Sequence, residues 1–291
     1  MKRKGRCCWM FEAVFESDNG RTFVFGIRGS NYFAMNIGEA VNAAIGTSQG
    51  FAQIGETLEN WAVGGRSIDV SGKLFGNIVE RKNALRSACA PLSTGRLILG
   101  GTHFIRVAVK SPPSFSAVKN NGLFKMLFFA PFPYFSEIEE RRYLIGGITP
   151  QFRLPINYRN PHRFGVKSAD KYINIPNPGD VRVPFKVVIR SDGTSTNPVI
   201  TNMATYAFLK FNGTLYAGEY ITVYRDDRNV LRAELTQGSS TTDIIDWIDD
   251  GSTLFELEAG DNLISANDDQ SSSRLTVYVS FNPAQAVLYE T

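Results

Sequence analysis

Cysteine and histidine are scarce in this sequence of 291 residues, which contains three of the first and two of the second. Three cysteines cannot build the framework of a disulfide-rich domain, and no Cys-x-x-Cys pair is present. With only His103 and His162 as imidazole donors, no metal site is expected. The few thiols fit a protein that folds in a reducing cytoplasm.

Long apolar runs and a strong charge imbalance are missing as well. The strongest apolar run starts at Met126 and ends at Pro131, whereas a membrane-spanning helix needs roughly 20 residues. The formal net charge of +3 is too small to argue for nucleic-acid binding. We therefore expect no membrane insertion and no specific binding of DNA.

The residues that hydrolytic or phosphate chemistry needs are not arranged for it. His103 lies in a predicted strand, and His162 lies in a loop without a neighbouring nucleophile. No GxxxxGK[ST] or strand-linked GxGxxG motif occurs. A cluster of acidic side chains is expected to be a solvated rim: Asp243, Asp246, Asp249, Asp250, Glu256 and Glu258. We predict no catalytic residues, no cofactor-binding residues and no enzymatic activity.

What the sequence does contain is typical of short strands joined by turns. Aromatic residues make up 12% of the chain, and 26 glycines and 13 prolines are spread along it. Ser17–Gly20 and Gly100–Gly101 each lie between alternating segments, which predicts two hairpins. Helical spacing of Ile78, Leu85 and Cys89 predicts one helix over about 77–90, ended by Pro91. The fold class is therefore mainly β.

Residues 29–64 break this pattern and are interpreted as a long extended arm or loop. Glycine is frequent there and neither a strand nor a helix period is visible, yet the segment carries many large apolar side chains. Because such groups are costly to leave in water, we predict that the arm contacts a neighbouring subunit. The candidate interface residues are Tyr32, Phe33, Ile37, Ile45, Phe51, Ile54, Leu58 and Trp61.

The two halves of the chain differ in charge and texture. Residues 1–150 carry 18 basic and 11 acidic side chains, and residues 151–291 carry 13 and 17. Alternating segments such as 181–190 and 275–281, with a hairpin signal at Asn212-Gly213, predict an antiparallel sandwich. We predict a first domain over 1–140 and a second over 141–291, joined by a proline-rich extended linker over about 141–178.

The order of local motifs resembles the distal tail protein family, the baseplate hub component of long, flexible-tailed (siphovirus-type) bacteriophages. No single motif is specific, but all of them follow one another in order over roughly residues 20–285. The matching segments are 65–76, 80–86, 91–97, 103–110, 129–134, 177–184, 196–202, 211–219, 252–262 and 275–281.

This resemblance implies a fold and a place of action. The first domain would be a tail-tube-like, ring-forming β domain, and the second a galectin-like β-sandwich. Six copies would form a hub at the phage tail tip, assembled in the host cytoplasm. Its partners would be the tail tube protein, the tail-associated or tail fibre protein and a receptor-binding protein, and DNA would pass through the ring unrecognised.

Two alternatives stay open at this point. The chain could be a tail-tube subunit, which would share the first-domain fold but polymerise into long tubes. It could instead be a carbohydrate-binding adhesion module, which needs an exposed aromatic platform. The candidate cluster for such a platform is Tyr206, Tyr216, Tyr220 and Tyr224. The Trp-Gly-x-Glu pattern with which galectins bind sugar is missing, because Trp247 is followed by Ile248-Asp249.

Overall fold

The structure, a computed structural model, describes residues 12–26, 31–116, 122–146, 148–150, 165–167, 172–269 and 275–288. The chain forms two compact units. The first comprises the described residues up to Ile138 together with those from Gln285 onward, and the second comprises Glu139–Ala284. In the described part of the chain, no helix is long and apolar enough to cross a membrane.

The first unit is a sheet with one helix. Its elements are β1 (Ala13–Ser17), β2 (Thr22–Gly26), β3 (Tyr32–Ser48), β4 (Thr57–Leu74), α1 (Ile78–Ala88), β5 (Thr94–Leu99), β6 (His103–Phe115), β7 (Leu123–Ala130) and β8 (Phe135–Glu137). The strand order is β8-β6-β5-β1-β2-β3-β4-β7, and β7 pairs back onto β6, so seven of these strands close on themselves. Closure satisfies the backbone groups that an open sheet would leave unpaired.

Local chemistry explains the turns and the helix. Gly20, Gly100 and Gly101 adopt positive φ angles of 82°, 60° and 70°, which glycine takes without strain, in the two predicted hairpins. Helix α1 begins after Asn77, whose side chain accepts a hydrogen bond from the backbone N–H of Glu80. The predictions of both hairpins, of the helix and of a mainly β fold are confirmed.

The core of the first unit lies inside the closed sheet and under the helix. Phe15, Phe25 and Phe128 are fully buried there, and Phe15 and Phe128 pack with ring centroids 4.9 Å apart. Leu85 and Cys89 bring the predicted helix face onto this core. The strand β7 alternates strictly, with Phe124, Met126, Phe128 and Ala130 inward.

The second unit consists of short antiparallel strands. They are β9 (Arg141–Gly146), β10 (Ile148–Pro150), β11 (Gly165–Lys167), β12 (Tyr172–Asn177), β13 (Lys186–Ser191), β14 (Ser195–Thr196), β15 (Val199–Asn202), β16 (Phe208–Lys210), β17 (Thr214–Leu215), β18 (Tyr220–Arg225), β19 (Leu231–Gln237), β20 (Ser240–Asp243), β21 (Gly260–Asn267) and β22 (Leu275–Phe281), with β23 (Ala284–Gln285) at the boundary. A single 3₁₀ turn, Ile245–Trp247, interrupts the described strands.

Two sheets supply most of this unit. A six-stranded sheet has the order β20-β19-β18-β13-β22-β9, and a four-stranded sheet has the order β12-β21-β15-β16. In the larger sheet Val187, Ile189 and Val277 are buried, whereas their chain neighbours Val188, Arg190 and Tyr278 are not. This alternation gives the sheet one buried face and one open face, as in a β-sandwich.

The structure corrects the predicted linker and the predicted end of the second domain. The predicted linker over 141–178 is wrong at both ends because Arg141–Gly146 and Tyr172–Asn177 are strands of the two sheets, and its middle, 151–164, lies outside the described residues. The predicted second domain ran to residue 291, but the chain belongs to the first unit again from Gln285. Local composition carries no signal for such a long-range return.

The hairpin predicted at Asn212-Gly213 is also wrong. The strand before it pairs with β15 and the strand after it pairs with β14, in two different sheets. Asn212 donates its backbone N–H to the carbonyl of Trp247 instead. Glycine is required at position 213 because a Cβ there would lie 2.3 Å from the Trp247 ring.

Candidate functional site

The predicted arm is a long β-hairpin rather than a loop. Strand β4 pairs with β7 only from Arg66 to Lys73, and the residues before Arg66 pair with β3 alone. Residues 42–65, named the arm below, therefore form a ribbon of two strands and a tip with no described third strand beside it. At about 3.3 Å per residue its six cross-strand pairs extend roughly 20 Å.

The arm has an apolar face and a polar face. One set of cross-strand partners is Ala43 with Val63, Ile45 with Trp61 and Thr47 with Leu58, and the alternate set is Ala44 with Ala62, Gly46 with Asn60 and Ser48 with Thr57. Cross-strand partners lie on the same face of a ribbon. Ile45, Leu58 and Val63 are 61%, 59% and 51% exposed, so the apolar face is uncovered in a single copy of the chain.

The tip of the arm is held by the side chain of Gln53. Its Oε1 accepts the backbone N–H of Gly50 at 2.8 Å, and its Nε2 donates to Oγ1 of Thr57 at 2.9 Å. The same tip presents Phe51 and Ile54 completely to solvent. An ordered turn that displays two large apolar side chains has the form of a docking element.

The base of the arm is fixed by Arg66, which is 3% exposed. Its guanidinium donates to Glu39 Oε2 at 2.5 Å, to the carbonyl of Pro133 at 2.5 Å and to the carbonyl of Ala286 at 2.6 Å. It also lies 4.4 Å from the ring centroid of Phe135. One buried cation thus joins both strands of the hairpin to β8 and to the C-terminal segment.

The structure divides the predicted interface residues into two groups. Ile37 is buried in the core of its own unit, and Tyr32 packs edge-on against Phe23 with ring centroids 5.2 Å apart. Phe33 is half-buried near Phe75. Ile37 is therefore corrected to a core position, whereas Tyr32 and Phe33 lie at the edge of the core, are partly exposed, and stay predictions for an interface.

The remaining predicted residues belong to the arm and stay candidates for an interface. Ile45, Phe51, Ile54 and Leu58 are exposed, and Trp61 lies opposite Ile45 in the register. Sequence reasoning missed Val63 and Arg66. Val63 continues the apolar face, but the irregular strands of the arm made it impossible to assign Val63 to a face from the sequence. Arg66 was missed because no local sequence signal marks a buried arginine.

The candidate titratable side chains lie apart from one another in the part of the chain that the structure describes. Among the described residues, no group of three or more His, Cys, Asp or Glu side chains could hold a metal ion. His103 lies in β6 with its Nδ1 2.9 Å from Oγ1 of Thr102, and His162 lies outside the described residues. Asp249 accepts hydrogen bonds from Asn212 and Gly251, which lower the pKa of its carboxyl. That arrangement holds a loop.

A comparison with solved structures gives the decisive observation on the fold. The SPP1 Dit (gp 19.1) protein, described as a paradigm of the hub adsorption apparatus in phages that infect Gram-positive bacteria, matches with a TM-score of 0.61. The match covers 94% of this chain and 98% of that one at 10% sequence identity. The chain has the fold of SPP1 Dit.

Two other solved structures match with lower scores. Two structures of the phage P2 baseplate in its activated conformation, with Ca and with Sr, match at TM-scores of 0.45 and 0.44, with 12% identity over 93% of this chain and 97% of the other. These scores are too low to support a shared fold. No protein-family model and no curated protein matches the sequence. At 10% identity the likeness to SPP1 Dit concerns the fold alone.

Proposed function

We propose that the chain is a structural protein of a phage tail tip and acts as a hub subunit in the baseplate. Six copies would form a closed ring through their first units, between the tail tube and the tail-associated protein. The second units would dock host-adhesion components at the periphery. The number six and the identity of the partners come from the sequence resemblance, and the shared fold with SPP1 Dit is consistent with them.

The observation that carries this proposal is the uncovered apolar face of the arm. A two-stranded ribbon is marginal in water by itself, and each large apolar side chain left exposed forgoes about 1.5–3 kcal/mol of burial. Ile45, Phe51, Ile54 and Leu58 are more than half exposed. A ring supplies the missing cover because each subunit has a neighbour in the same relative position.

The edges of the arm support the same conclusion. Residues 42–65 contain no Lys, Arg or Pro, the residues that usually protect a free strand edge from pairing. Their only charged side chains are Glu56 and Glu59. A strand edge without such protection is consistent with an arm that a neighbouring subunit covers after assembly.

Electron microscopy of the purified full-length chain tests the proposal. Discrete closed rings of one diameter are expected. Long tubes would instead support the alternative of a tail-tube subunit, and isolated single copies at micromolar concentration would contradict a ring held by the arm. If the chain is a hub, the tail tube protein of the same phage should bind to one side of each ring when it is added.

A further inference from the structure

The open face of the six-stranded sheet in the second unit is lined by tyrosines and basic side chains. Most of its described residues are exposed or half-buried, and the exceptions are Thr236 and Ser280, which are buried. The residues, named the tyrosine face below, are Leu144 on β9, Thr276 and Tyr278 on β22, Lys186, Val188 and Arg190 on β13, and Tyr220, Thr222 and Tyr224 on β18.

Arg190 lies at the centre of this face, stacked between two rings. Its guanidinium carbon is 5.0 Å from the ring centroid of Tyr220 and 5.8 Å from that of Tyr278. Stacking holds the guanidinium by its plane and leaves its N–H edge available. Within the described part of the chain, no carboxylate or carbonyl accepts a hydrogen bond from Arg190, so this edge has no partner there.

A second cation repeats the arrangement further along β13. The ammonium of Lys186 lies 6.0 Å from the ring centroid of Tyr224. The hydroxyl of Tyr224 donates to Glu234 on β19 at 2.9 Å, and this bond raises the pKa of the phenol. Glu234 keeps its negative charge, but the four basic side chains that the register places on the open face of the sheet, Arg142, Lys186, Arg190 and Arg232, outnumber its two carboxylates, Glu234 and Asp243.

The charge of the tyrosine face differs from that of the rest of the unit. The second unit, residues 139–284, contains 15 basic and 18 acidic side chains, so the unit as a whole carries a small negative charge. Lys186 and Arg190 are nevertheless both exposed on the same open face. A local excess of positive charge on one face favours an anionic ligand there.

We propose that the tyrosine face binds an acidic polysaccharide. The rings of Tyr220, Tyr224 and Tyr278 would pack against the apolar faces of sugar rings, and Arg190 and Lys186 would bind the anionic groups. Tyr220 and Tyr278 lie on either side of β13, two strand spacings or about 10 Å apart, so successive sugars can contact both. This inference goes beyond the structural role and does not depend on the ring.

Three probes separate an acidic polysaccharide from other ligands. Binding of the full-length chain to immobilised dextran sulfate is compared with binding to neutral dextran and to an oligothymidylate, at 50 and 300 mM NaCl. Dextran sulfate should bind best, and its affinity should fall with salt. The oligothymidylate is included because nucleic-acid bases also stack on aromatic side chains.

Variants of the full-length chain locate the site. Arg190→Gln should weaken dextran sulfate binding about tenfold, which is the usual loss for one charge-assisted contact. Tyr278→Leu should weaken it at both salt concentrations because it removes a stacking surface without changing the charge. Arg228→Gln, an exposed arginine outside this face, is the matched control and should stay within about twofold of the original chain.

Several results would overturn the proposal. They are no binding of dextran sulfate, equal affinity of the Arg190→Gln variant and the original chain, and equal or tighter binding of the oligothymidylate. Arg190→Lys keeps the charge but loses the planar stacking, and it should bind with intermediate affinity. Thermal unfolding of each variant checks that a loss of binding is not a loss of the fold.

Discussion

Arg66 shows how a single side chain positions the candidate interface. A buried guanidinium is costly to desolvate, and here that cost is offset by Glu39, two backbone carbonyls and the ring of Phe135. The groups it joins come from three separate parts of the sequence, at Glu39, at Pro133–Phe135 and at Ala286. Their contact defines where the hairpin leaves the sheet.

Replacing Arg66 should therefore destabilise the first unit strongly. We expect Arg66→Met to lower the free energy of unfolding by about 3 kcal/mol because it leaves a partly buried carboxylate and two carbonyls without donors. Arg96→Met is the control, since the Arg96–Glu16 pair is exposed at both ends and should be worth less than about 1 kcal/mol. Amide hydrogen exchange in β4 measures both values, and similar values for the two variants would contradict this role.

Cys89 illustrates a buried group without reactivity. It is completely buried at the C-terminal end of α1, and burial raises the pKa of its thiol to about 12. The reactive thiolate is therefore present at about one part in ten thousand at pH 8. Cys89 should resist iodoacetamide at pH 8 in the folded chain and react in urea, as followed by peptide mass spectrometry. Rapid labelling without denaturant would show that the helix opens readily.

At the scale of elements, the arm was difficult to predict because its strands are irregular. Register shifts occur between Ala34 and Asn36, between Val41 and Ala43 and between Gly46 and Thr47. Each shift moves the following side chains to the other face, so no period of two survives in the sequence. The regular hairpin at Gly100–Gly101 has no such shift, and it was predicted correctly from its alternation.

The candidate interface on the arm could be predicted only in part. The excess of apolar side chains over 29–64 is a compositional signal, and it led to Ile45, Phe51, Ile54 and Leu58. Which residues of that segment belong to the core depends on where β7 stops pairing with β4, a contact between residues about 60 positions apart. For the same reason Ile37 could not be separated from Ile45 by sequence alone.

Polar substitutions on the apolar face of the arm should weaken association without unfolding the chain. We expect the double variant Ile45→Ser and Leu58→Ser to raise the dissociation constant of the oligomer at least tenfold, since both side chains are exposed in a single copy. Asn60→Ser and Thr57→Ser lie on the other face and serve as the control. Sedimentation velocity measures association, and an unchanged dissociation constant for the first pair would exclude this face from the interface.

At the scale of the whole molecule, the two compact units are predicted to be independent in folding. The second unit contains both of its larger sheets in full within 139–284. A fragment that starts at residue 143 would remove the first part of β9, which pairs through Arg141 and Arg142 with β22. The boundary should therefore be set before Glu139.

The fragment 139–284 should fold by itself and unfold in one cooperative transition. Both of its larger sheets are made only of strands within these residues, which is the reason for this expectation. Urea unfolding followed by circular dichroism tests it, and the fragment 143–284 is the comparison, expected to be less stable. A gradual transition for 139–284 would mean that the first unit contributes to its core.

The mass of the particle in solution tests most directly whether the arm holds a ring of subunits together. The full-length chain has a mass of 32.3 kDa, so native mass spectrometry should find a particle of six copies, about 194 kDa. A variant in which residues 44–62 are replaced by Asn-Gly joins Ala43 to Val63, which are already partners across the hairpin, and leaves the core intact. It should be a folded single copy of about 30 kDa. If this variant retains the mass of the full-length particle, the arm is not the contact that closes the ring.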